Sequence, residues 1–112
     1  MKERKILRVL EKFSVAELNS FRKFLISPFF NQNERIIALF DLIDDYVRNK
    51  KDFYELSNEQ IWEKVHGNLK DFTEIRLRKL FSDIFALSEE YMAHVEFSEE
   101  KSFKLSMLFK AY

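Results

Sequence analysis

The nearest approach to a metal-binding pattern is Glu63-Lys64-Val65-His66, which reads Glu-x-x-His along a helix. At this spacing a carboxylate and an imidazole share one helix face. Di-iron helical bundles use two such motifs, plus a Glu from each of two further helices. Here the second copy is missing, because Glu90 and His94 are four residues apart. His66 also stands directly before Gly67, where an imidazole can meet the last carbonyls and the dipole of a helix. That role is preferred, so no metal and no cofactor is expected. His94 reads as a surface or partly buried residue on a long helix.

Other catalytic chemistries lack their parts. The chain has no cysteine, and neither histidine stands in a recognisable relation to a serine and a carboxylate. Phosphate cradles need glycine so that backbone amides can approach the ligand, and Gly67 is the only one. An enzyme is therefore not expected, and no small-molecule ligand is indicated.

Basic residues give an alternative reading. Lys5, Arg8 and Lys12 recur along one helix face, and Arg76, Arg78 and Lys79 cluster at the start of another. Phe21-Arg22-Lys23-Phe24 interleaves aromatic and basic side chains, as single-strand binders do. Against this, Glu74 lies four before Arg78 and Asp83 four after Lys79, the spacing of intrahelical pairs. Lys and Arg total 19, as do Asp and Glu, so no net field draws in a polyanion. No zinc finger, RNP-type motif or glycine-containing KH loop is present. Nucleic-acid binding through Lys5, Arg8, Lys12, Arg76, Arg78 and Lys79 is thus the alternative, not the first choice. The carboxylates Asp41, Asp44 and Asp45, and later Glu89, Glu90, Glu96, Glu99 and Glu100, read as solvated faces. Their functional version would be a docking surface for a basic partner.

The elements that position these residues are helices. Thirteen Phe, four Tyr and one Trp stand against one Gly and one Pro, which suits helices with short polar joints. Two capping boxes mark helix starts: Ser14 with Glu17, and Ser57 with Gln60, each preceded by an apolar staple residue, Phe13 or Leu56. Six helices are predicted, over about 2–12, 15–26, 34–48, 58–66, 73–95 and 98–112. Asn33 caps the third and Ser98 the sixth, Pro28 ends the second, and Gly67 closes the fourth. The fold class is all-α, a compact bundle or array of about six helices with the long fifth as its central element. Residues 1–112 read as one domain. The uncapped final helix leaves open that it is the N-terminal part of a longer protein.

Phe21-Arg22-Lys23-Phe24-Leu25-Ile26-Ser27-Pro28-Phe29-Phe30-Asn31 is the least generic stretch. It resembles the F-x-K-F-L-x-S-P-F-F-N segment of a family of uncharacterised bacterial helical proteins. Ile75-Arg76-Leu77-Arg78-Lys79-Leu80-Phe81-Ser82-Asp83 is similar to a later L-R-x-L-x-S-D helix of that family. The resemblance covers most of the chain and implies a helical fold, but it implies no activity.

Two apolar sets exceed what ordinary packing explains. After the Ser27-Pro28 break, Phe29 and Phe30 sit on a turn; the preferred reading is that at least one of them plugs the bundle and pins the turn, and the alternative is that one protrudes as an anchor for a partner. Near the end, Phe103, Leu105, Leu108, Phe109 and Tyr112 fall on or beside one face. The expected function is a non-enzymatic protein–protein interaction module or scaffold, through a partner or self-association. The longest apolar run, Ile36 to Phe40, is far below the ~20 residues that span a bilayer, so no membrane role is expected. The expected location is the cytoplasm.

Overall fold

The computed structural model describes the backbone of residues 5–108 and the side chains of residues 5–95. Five α-helices follow one another: α1 Lys5–Glu11, α2 Val15–Ile26, α3 Glu34–Arg48, α4 Asn58–His66 and α5 Glu74–Leu108. A one-turn 3-10 helix, Phe53–Glu55, lies between α3 and α4.

Local chemistry sets most of these boundaries. Both capping boxes form in full: the Ser14 and Ser57 hydroxyls accept from the N–H groups of Glu17 and Gln60, whose side chains accept from the cap N–H in return. Orphan amides at each helix start are thereby satisfied. The Asn33 side chain caps α3 by accepting from the Arg35 N–H. Ser27, held extended by Pro28, ends α2 at φ −77° and ψ 117°. Gly67 closes α4 at φ 87°, left-handed backbone that glycine enters without a Cβ penalty.

One expected boundary does not exist. Ser98 does not start a sixth helix, because α5 runs through it without interruption. No Gly or Pro lies between Glu74 and Leu108, and Ser in a helix interior costs only about 0.5 kcal/mol relative to Ala, too little to break a helix by itself. Phe13, the staple residue before the first capping box, packs its ring against Phe21 and Tyr91 at 6.1 and 6.0 Å.

Packing radiates from two elements. α5 touches each of the other four helices, as expected of a central element, but so does α3, which also meets the 3-10 turn. Their buried stripes, Ile36, Leu39, Phe40 and Ile43 on α3 and Leu77, Leu80, Phe81 and Ile84 on α5, carry the 3.6-residue period read from the sequence. Phe21 is fully buried at the focus of the aromatic core, 5.1 Å from Tyr91 and 5.5 Å from Phe40, ring to ring. Met92 falls on the inward stripe that the helical period predicts for α5 and is instead exposed. Phe53, in the 3-10 turn between α3 and α4, is buried against Tyr46 at 5.5 Å. Among the described residues, no helix is long and apolar enough to cross a membrane.

Candidate interaction surface at the turn between α2 and α3

The turn from Ser27 to Asn33 is built from its own side chains. The N–H groups of Phe30 and Asn31 both donate to the Ser27 carbonyl at 3.0 Å, which rolls the chain over Pro28. Asn31 is one of two buried polar residues among those described. Its Nδ2 donates to the Leu25 carbonyl at 2.9 Å and to the Asn33 carbonyl at 3.2 Å. Its Oδ1 accepts from the Asn33 N–H at 3.1 Å, an Asx turn. One side chain therefore ties the end of α2 to the start of α3.

This bracket places two adjacent phenylalanines oppositely. Phe30 is half-buried and stacks on Phe24, with ring centroids 4.2 Å apart and planes 21° apart. His94 of α5 lies 5.7 Å from the Phe30 ring. Phe29 points outward, edge-on to Phe30 at 4.9 Å, and is 86% exposed. Beside this pair lies an open groove of about 830 Å³ between the turn and α5. Phe30, Asn31, Glu34, Arg35 and Ile36 form one wall, and Asp83, Ala86 and Leu87 form the other. The later candidates Phe103, Leu105, Leu108, Phe109 and Tyr112 lie outside the residues whose side chains are described.

Five of the basic candidates fall on the exposed faces of α1 and α5, which pack on each other, and Lys12 lies one residue past the end of α1. Three of the six are already engaged. The Lys5 ammonium sits 5.9 Å from the Phe85 ring, Arg76 donates to the Asp71 carbonyl at 3.2 Å, and Lys79 meets Asp83 at 3.2 Å. Glu74 and Arg78 do not form the expected ion pair, so only one of the two intrahelical pairs is made. Arg8, Lys12 and Arg78 remain exposed. The acidic cluster of α3 is matched by cations. Asp41 holds Arg22 with two contacts, at 2.8 and 3.1 Å, Asp44 holds Arg48 at 2.7 Å, and Asp45 meets Lys51 at 3.5 Å. The hydrogen bond and charge of Asp41 hold Arg22 more firmly protonated.

At the end of α4, His66 stacks on Trp62 with centroids 3.7 Å apart and planes 12° apart, and its Nδ1 lies 3.3 Å from the Trp62 carbonyl. Glu63 and His66 gain no third partner suited to a metal: no group of three His, Cys, Asp or Glu converges among the described residues. Burial lowers the His66 pKa from its ordinary 6.5; the Trp62 carbonyl opposes this, and the Arg35 charge adds to it. Protons then bind the unfolded chain more readily than the folded one. The His66 contribution therefore favours folding least at low pH, and stability rises as pH climbs towards about 6.5. Urea midpoints at roughly pH 5 and pH 8 should show a smaller difference for His66→Gln than for the parent chain. An unchanged difference would remove His66 from this role.

Sequence reasoning grouped Phe29 with Phe30 and passed over Asn31. The Asn31-x-Asn33 spacing is the local signal that could have found the bracket, because Asx turns link residues i and i+2. No family model, curated protein or solved structure significantly matches this chain.

Proposed function

We propose that this chain is a non-enzymatic helical interaction module that anchors a protein partner through Phe29. One observation carries the reading. Of the phenylalanines with described side chains, Phe29 is the one that is exposed; the others are buried or half-buried. Burying a Phe side chain is worth roughly 1.5–3 kcal/mol, and the fold leaves that gain unrealised at Phe29. The hydrogen-bonded Asn31 bracket and the Phe30–Phe24 stack hold the turn, so little conformational freedom is left to lose on binding. A rigid, protruding aromatic beside a groove suits the anchor residues that dominate interface energies. A cytoplasmic setting belongs to the same proposal, supported by the lack of cysteine, and a bacterial one follows from the sequence resemblance.

Affinity capture from the native cell tests this, with the parent chain and Phe29→Ala as parallel baits. The expected result is a protein retained by the parent and lost from the variant, at equal bait loading. Identical capture by both baits would remove Phe29 from the anchor role.

A further inference from the structure

We infer that the partner seated on this surface is a second copy of the chain, paired about a two-fold axis with each Phe29 in the other's groove. The inference rests on the reading of Phe29 as an anchor and names its partner. A two-fold interface requires one patch that carries both halves of the contact, since residue i meets j while j meets i. Here the knob and the hole adjoin: the Phe29 ring lies 4.9 Å from Phe30, which lines the groove. At about 830 Å³ the open groove has room for a phenyl ring, and the half-buried Phe30 and Leu87 give it apolar wall.

The charges of the groove are self-complementary. Asp83 is already held by Lys79. Glu34 and Arg35 are both exposed, stand next to each other on the groove wall, and form no ion pair among the described residues. Two-fold pairing can set Glu34 of one copy against Arg35 of the other, twice over. A purely acidic or basic wall would repel its own image, and this one does not. Nor do the copies repel as whole bodies, because 19 cations balance 19 anions. The adjacency of knob and groove also favours closure into a dimer over the open filament that separated patches produce.

Sedimentation equilibrium on the full chain, from dilute solution to the highest soluble concentration, tests the pairing. The parent chain is expected to show a monomer–dimer equilibrium. Phe29→Ala should weaken it by roughly tenfold or more, with the helical circular dichroism unchanged. Glu34→Arg or Arg35→Glu alone should weaken dimerisation, and the two together should restore it. A parent chain that stays monomeric throughout overturns the pairing, as does a Phe29→Ala variant that dimerises like the parent. A double variant no tighter than the single ones overturns the two-fold arrangement. Capture of a different protein in a Phe29-dependent way would, with a monomeric parent, sink the self-pairing while leaving the anchor reading standing.

Discussion

Phe21→Ala is expected to remove about 3–5 kcal/mol of stability, the range for truncating a fully buried aromatic residue. Phe21 has no exposed surface and stands within 6.3 Å, ring to ring, of Phe13, Phe24, Phe40 and Tyr91. These rings come from α2, α3, α5 and the short segment joining α1 to α2. The cavity therefore opens where four parts of the chain meet, and no single neighbour can move to fill it. The loss is a large share of the roughly 5–15 kcal/mol by which a domain is stable, so the variant should unfold at a clearly lower urea concentration than the parent. Urea denaturation followed by circular dichroism measures it. A loss below about 1 kcal/mol would mean that the aromatic cluster is not the core.

Asn31→Ala is the second large effect, and it should act on stability and association together. The substitution leaves the Leu25 carbonyl without its side-chain donor and the Asn33 N–H without its acceptor. A buried polar group left unpaired costs about 1–3 kcal/mol. Because the bracket also fixes the turn, Phe29 should lose its defined direction while its own side chain is intact. Dimerisation or partner capture should fall along with stability. If Asn31→Ala lowers stability but binds like the parent, the turn does not need to be rigid for Phe29 to act.

Much of the fold is legible in the sequence because it is decided locally. Ser14 and Ser57 satisfy nearby amides, Pro28 restricts Ser27, and Gly67 meets a left-handed turn, each within a few residues. The stripes of α3 and α5 follow from the helical period alone. Ser98 shows the limit of such signals: Ser followed by Glu99 and Glu100 reads as a cap, yet a helix rich in good formers continues through it. The contrast between Phe29 and Phe30 was not legible, since the two residues are adjacent and identical. Which one turns inward depends on where Asn31 bonds and where Phe24 offers its face, both tertiary facts. The groove was hidden for the same reason, because it exists only once α5 lies beside the start of α3. Charge pairing was half legible: Lys79–Asp83 follows from a spacing of four, whereas Arg22–Asp41 spans 19 positions.

Phe29, as proposed above, is displayed for recognition and contributes little to holding the fold. Equilibrium urea denaturation of Phe29→Ala against the parent chain tests it most directly. The protein must be dilute enough for both to be monomeric, so that association does not add to the parent's stability. The same midpoint and slope are expected, with stabilities agreeing to about 0.5 kcal/mol, as for a residue 86% exposed whose ring meets Phe30 only edge-on. A loss of more than about 1 kcal/mol would contradict it and return Phe29 to the core.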